Sequence, residues 1–205
     1  MPNTIKTIKI IALFFLIISL TSCGSTNFTK LQKKSITSKG DTKPMRVYLI
    51  TNKKDSILLR EKSTSIKPNP KNKILQTFAK RLIATVRDSS SLGVGIAAPQ
   101  VGILKNIIVV QRLDKDNEPF EVYLNPVIKY YSKQKRSCPE GCLSIPNKRA
   151  ITLDRSYEIR IEYDKLDGSH HSEKVEDFVS VIFQHEIDHL NGILFIDHLL
   201  KESAE

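Results

Sequence analysis

Apolar and polar positions alternate with different periods along the chain, and the changes of period mark its parts. Lys6 and Lys9 precede a wholly apolar run over residues 10–18, which closes on Ser19, Leu20, Thr21, Ser22 and Cys23. At about eleven residues this run falls short of the roughly 20 that a bilayer-spanning helix needs. It suits the apolar region of an export signal. From residue 24 to residue 44, Ser, Thr, Asn and Lys dominate. Such a composition cannot bury enough apolar surface to offset the entropy of ordering, so a flexible tether is expected over residues 23–44.

The folded part is expected over residues 45–205. Residues 45–50 read as a short strand. Ile74, Leu75, Phe78, Leu82, Ile83 and Val86 recur at helical spacing and predict an amphipathic helix ending near residue 88. The continuous apolar run Ile107, Ile108, Val109, Val110 suits a buried strand, and residues 120–124 suit another after a turn at Asp114-Lys115-Asp116-Asn117. Residues 157–163 alternate strictly, and Asp167-Gly168 then predicts a hairpin turn. From about residue 175 to residue 190 the period becomes helical. Strands in the middle flanked by helices indicate α+β rather than a repeated βαβ unit.

Composition narrows the class without naming it. With 205 residues, 40% of them apolar and 26% charged, the chain has the makeup of one globular domain with extensions. That excludes a disordered, collagen-like or multi-span membrane chain. The formal charge of +10 is unevenly placed. Residues 23–72 carry twelve Lys/Arg against three Asp/Glu, whereas residues 73–205 carry 18 against 19. The lysines of the tether have no interleaved arginine and only one aromatic, Phe28, so no nucleic-acid partner is expected. An anionic membrane surface fits them better. Three cysteines do not make a disulfide scaffold. The small residues before Cys23 resemble the lipobox of bacterial lipoproteins, in which that cysteine is acylated. The resemblance implies signal peptide 1–22, a lipid membrane as partner through acylated Cys23, and a place in the bacterial cell envelope. A cytoplasmic location follows if the segment is not used as a signal.

Three segments carry candidate chemistry. In Gln184-His185-Glu186-Ile187-Asp188-His189 the two histidines are four apart, so on a helix both project from one face and can bind one metal ion. Glu186 is then placed to act as general base on a water at that metal. Val181, Ile182, Phe183, Ile187 and Leu190 make this a buried helix, where ionisable groups need partners. Two histidines are an incomplete site, since a catalytic centre commonly takes three protein ligands. Cys138-Pro139-Glu140-Gly141-Cys142-Leu143-Ser144 offers a thiolate; its two cysteines also allow half of a zinc knuckle or a disulfide. The glycines of Gly93-Val94-Gly95-Ile96-Ala97-Ala98-Pro99-Gln100 fit neither a dinucleotide fingerprint nor a phosphate loop, because the third glycine and the Lys-Ser/Thr are missing. They allow a substrate backbone to lie close to the chain, with Gln100 as an amide donor at a cleft.

These three segments resemble, in order, the three motifs of the peptide deformylases, over roughly residues 57–198. The resemblance implies an α+β fold whose small antiparallel or mixed sheets pack around a central helix carrying His-Glu-x-x-His. It implies removal of the N-formyl group from N-formylmethionyl peptides with release of formate. Cys142, His185 and His189 would bind one divalent metal ion, with iron(II) preferred and zinc or nickel accommodated. One thiolate with two imidazoles does not itself decide among them. Glu186 would be the general base, and Gln100 and the Leu143 N–H would hold the developing oxyanion. Val94 and Gly95 would pair with the substrate backbone, Val181 and Ile182 would contribute to the methionine pocket, and Glu140 and Arg149 would support the site. Two features depart from the family pattern: Cys138, read as a bland neighbour, and the export-type start. A zinc peptidase and a non-catalytic peptide-binding lipoprotein are the rival readings; the Gln100 and Cys142 segments weigh against the first, and an intact Glu186 against the second.

Overall fold

The computed structural model describes residues 27–88 and 93–202. The expected signal segment and Cys23 lie outside them. In chain order the elements are helices α1 (Lys30–Thr37), α2 (Lys53–Leu59) and α3 (Lys73–Val86), strand β1 (Gly95–Ala97), a 3-10 turn (Ala98–Val101), strands β2 (Ile107–Gln111), β3 (Phe120–Tyr131), β4 (Cys138–Cys142), β5 (Ile145–Thr152), β6 (Glu158–Asp164) and β7 (His170–Glu176), then helices α4 (Asp177–Leu190) and α5 (Phe195–Glu202). Five strands form one antiparallel sheet in the order β1-β2-β3-β6-β7, and β4-β5 form a separate hairpin. The expected α+β class, with small antiparallel sheets around a central helix, is the architecture observed.

The apolar run of β2 is continuous because both faces of that strand are covered. Ile107 and Val109 pack into the core with Leu75, Phe78, Leu82 and Val86 of α3. Ile108 and Val110 pack on the other side with Ile182, Phe183 and Ile187 of α4. Helix α3 starts where Asn72 accepts hydrogen bonds from the Ile74 and Leu75 amides, an N-cap that satisfies two otherwise free donors. Helix α4 is buried on nearly every side, which its apolar sequence requires of an interior helix. Strand β6 keeps the strict alternation, burying Ile159, Ile161 and Tyr163.

Four local expectations are corrected. Residues 45–50 form no strand: the Tyr48 N–H donates to the Gln100 carbonyl (2.7 Å) and the Ile50 N–H to the Ser144 carbonyl (3.0 Å), so this segment straps the site loops. Strand β3 runs on to Tyr131, past an irregularity at Asn125, whose left-handed backbone (φ 50°) and side chain fasten it to Ile66. Helix α4 begins at Asp177, because β7 uses the backbone groups up to Glu176 in pairing with β6.

The fourth concerns residues 27–44, assigned to the tether by composition. They contain α1, whose Thr29 and Gln32 cap each other reciprocally. Phe28 and Ile36 are buried, and Phe28 packs edge-on against Phe78 of α3 at 5.7 Å between ring centroids. The buried Arg81 guanidinium donates to the carbonyls of Ser35 (2.9 Å), Ile36 (2.7 Å), Lys43 (2.9 Å) and Pro44 (3.3 Å). Two apolar anchors and one arginine thus hold a stretch whose average composition is polar. Among the described residues, no helix is long and apolar enough to cross a membrane.

Candidate metal centre

Helix α4 and the end of β4 bring the histidine and cysteine motifs together. Ligand atoms of Cys142, His185 and His189 lie within 4.8 Å of one another, and Cys142 Sγ is 3.2 Å from His189 Nε2. His185 Nδ1 is 2.6 Å from Glu140 Oε2. A carboxylate accepts there, so Nδ1 carries a proton and Nε2 is the nitrogen turned toward Cys142, where a bound cation would replace the Nε2 proton. The set is one thiolate and two imidazoles, converging in a buried site with borderline-soft donors. Glu186 Oε2 and His189 Nδ1 are buried with no hydrogen-bond partner. Orphaned polar atoms beside three converging donors fit a site built for a divalent ion and its water.

Electrostatics agree with the geometry. Burial alone would push the Cys142 thiol up, but the neighbouring charge of His189 and a hydrogen bond from His185 bring it down to about 5. It is therefore a thiolate at neutral pH, the form that binds metal. Burial pushes the Glu186 carboxyl up to about 7, against the pull of His185 and His189. Burial would raise Glu140 as well, yet its bonds to His185 and Arg155 hold it well below the usual carboxylate range. Arg155 donates to both Glu140 oxygens, Nε to Oε1 at 2.7 Å and Nη2 to Oε2 at 3.0 Å, and Nη1 donates to Asp188 Oδ2 at 2.6 Å. Asp188 meets His198 Nε2 at 2.8 Å, and His198 Nδ1 meets Asp154 at 2.6 Å.

The remaining predicted residues fall as follows. Gln100 is buried in the 3-10 turn; its Oε1 accepts from the Ala97 N–H (2.8 Å), which aims Nε2 at Ser144 Oγ (3.3 Å) and Cys142 Sγ (3.5 Å). Leu143 follows Cys142 directly and is half-buried against the α3 side of the core. Gly95 lies on α4: a Cβ there would meet Glu186 Oε1 at 2.5 Å and Ile182 Cγ2 at 2.8 Å. Val94, just before β1, spends its carbonyl on the Gln111 N–H (2.7 Å). Val181 and Ile182 are buried one turn before His185 and Glu186. A groove of about 320 Å³ opens beside Leu143, lined also by Met45, Val47, Leu49 and Asp88.

Arg149, expected to support the site, is instead exposed on β5, its side chain lying along Gly141. Arg155 takes that role, and sequence reasoning missed it. The signal was faint: an arginine directly after Asp154, just ahead of the alternating run at 157–163. Asp188, inside the histidine motif, also gained its purpose only from the fold. Cys138 is a free, buried thiol at the start of β4, and burial raises its pKa.

Fold and site together define a metal-dependent hydrolase whose internal carboxylate rides on the metal-binding helix. The model of the polypeptide deformylase family matches residues 47–205, and the chain belongs to that family. A peptide deformylase of a Picosynechococcus species is 36% identical over 168 residues, covering 81% of this chain and 84% of that one. One from Zymomonas mobilis is 37% identical over 149 residues, covering 70% and 81%. The Met-Ala-Ser-bound crystal structure of a class I type b peptide deformylase from Acinetobacter baumannii superimposes with a TM-score of 0.67 at 30% identity, covering 77% of this chain and 99% of that one. The deformylase reading therefore holds over the peptidase and the non-catalytic binder.

Proposed function

We propose that the chain hydrolyses the formyl amide of N-formylmethionyl peptides, releasing formate and a free N-terminal amine. The observation that carries the roles below is the buried Glu186 carboxylate, with Oε2 unpartnered, beside the converging Cys142, His185 and His189. Those three residues would hold one divalent ion, iron(II) in the first instance. The ion would supply Lewis acidity, lowering the pKa of a water and polarising the formyl oxygen.

The rest is done by the chain. Glu186, buried beside the three ligands with Oε2 unpartnered, takes the proton of the attacking water as the water oxygen bonds the formyl carbon. It returns that proton to the amine nitrogen as the C–N bond breaks. The Gln100 Nε2 and the Leu143 N–H donate to the oxyanion as charge develops. Among the described residues strand β1 pairs with β2 alone, so the far edge of Gly95 would take an added peptide strand, while Val94, whose carbonyl is held by the Gln111 N–H, would line that edge. A bound Met-Ala-Ser in the Acinetobacter relative supports a peptide of this class. Val181 and Ile182 would contact the methionine side chain.

The export-type start supports a second part of the reading: Cys23 carries lipid and places the enzyme in the cell envelope. Purified protein loaded anaerobically with iron(II) and given formyl-Met-Ala-Ser tests the activity. Formate release should vanish in Glu186→Gln at unchanged metal content. No release from fully metallated wild type would sink the proposal. For the anchor, palmitate labelling should disappear in Cys23→Ser, and equal labelling would remove it.

A further inference from the structure

We infer that α1 is a docking surface for an anionic phospholipid bilayer, an inference that rests on the acylation of Cys23. Helix α1 is part of the folded body, fastened by Phe28, Ile36 and the four carbonyl bonds of Arg81. Its other face is basic. Measured around the helix from the buried Ile36, residues 30, 34 and 31 fall on the opposite side. These are Lys30, Lys34 and Leu31, all exposed, and Leu31 is 81% exposed. Lys33, Lys39 and Lys43 add exposed positive charge on the same segment. Its single acid, Asp41, is paired with Lys80 at 3.2 Å.

Chain length brings this face to the membrane. Five residues lead from Cys23 to the buried Phe28, and fully extended they reach roughly 18 Å. Part of that reach is used in crossing the headgroup layer, roughly 6 Å deep on each side. The remainder is of the order of the Debye length, roughly 8 Å at physiological salt. A lipid at Cys23 therefore holds the lysines of α1 inside the surface potential of an anionic leaflet. Each lysine there strengthens association roughly fivefold. Leu31, the large apolar side chain exposed on that face, would enter the headgroup boundary between the two lysines. The anchor is a short leash, and α1 fixes which side of the domain faces the bilayer.

The chain has no tryptophan, so Leu31→Trp gives a single fluorescent reporter at an exposed position. The full chain, processed and acylated in a bacterial host, is reconstituted into vesicles of phosphatidylcholine alone or mixed equally with phosphatidylglycerol. The reporter should shift to the blue and be quenched by brominated lipid in the anionic vesicles only, and high salt should reverse both. Adding Lys30→Gln and Lys34→Gln should lower the docked-to-undocked ratio roughly thirtyfold. In the unaltered sequence, the same anionic vesicles should protect the bonds after Lys33 and Lys34 from trypsin. Identical spectra in both vesicles, with acylation verified by intact mass, would overturn the inference alone. An intact mass without lipid at Cys23 would overturn the anchor reading and the inference together.

Discussion

Glu140 and His185 are joined at 2.6 Å, carboxylate to Nδ1, across the gap between the β4–β5 hairpin and α4. That bond decides which imidazole nitrogen faces Cys142 and His189. Glu140→Gln keeps the shape but no longer accepts with full charge, and its amide can present a donor to the ring. Metal affinity should fall 10- to 100-fold. A chelator-competition titration of the iron or zinc form measures it. Unchanged affinity would mean that Glu140 serves only to neutralise Arg155.

Gly95 touches Glu186 through its missing side chain. A Cβ at that position would press on Glu186 Oε1 and Ile182 Cγ2, both closer than real Cβ contacts. Gly95→Ala should therefore displace the carboxylate while leaving the three ligands in place. The expectation is a loss of kcat of roughly 100-fold, as for a misplacement of about 1 Å in a reacting group, with metal content unchanged. Stability should fall by about 1–3 kcal/mol, as for other overpacked sites. Steady-state kinetics and metal analysis on one preparation check it, and a wild-type kcat would show that Glu186 has room to move.

Much of this site was legible in the sequence because its chemistry is local. His185, Glu186 and His189 are spaced by one helical turn, and Gln100 and Cys142 sit in short segments of unusual composition. The supporting shell was not legible, because it is assembled from charges far apart in the chain. Arg155 reaches back to Glu140 and forward to Asp188, and no periodicity reports such a pairing. The fold shows the same division. Strands β2 and β6 and helix α3 follow from apolar spacing, since burial sets their period. Helix α1 was hidden because two buried side chains among many lysines are diluted in any average. What holds it is the Arg81 side chain, 37 to 46 residues further along.

Glu186 should make the metal-free protein less stable as pH rises. Its carboxyl titrates near 4.5 when unfolded and at about 7 when folded, because burial disfavours the charge. Between those values the native state keeps a proton that the unfolded state has lost, so stability falls with rising pH across this window. The full difference is about 3 kcal/mol, reached above pH 7. Cys142 works in the opposite sense: its depressed thiol contributes stability above its ordinary value of 9.0, lost as pH falls toward 5. Comparing wild type with Glu186→Gln separates the two. Without metal, the variant should gain on wild type between pH 5 and 7.5 in urea midpoints, to within the roughly 3 kcal/mol limit. A gap that stays constant with pH would show that Glu186 is ionised throughout.

Arg81 should control the N-terminal helix without touching catalysis. It is buried in α3, and its guanidinium satisfies four carbonyls around the end of α1 and the strap before Met45. Arg81→Met keeps most of the apolar stem but leaves those carbonyls without their donor. Buried acceptors that lose a charged partner cost about 1–3 kcal/mol, so the segment should open locally rather than unfold the domain. Trypsin should then cut after Lys33 and Lys34 roughly 5- to 150-fold faster than in wild type, because local opening governs cleavage. Formate release should be unchanged, since the Arg81 guanidinium bonds only to the carbonyls of residues 35, 36, 43 and 44 among the described residues and not to the metal, base or oxyanion groups. Faster cleavage together with lost activity would show that α1 supports the site as well as the surface, through the strap from residue 45 to Gln100 and Ser144.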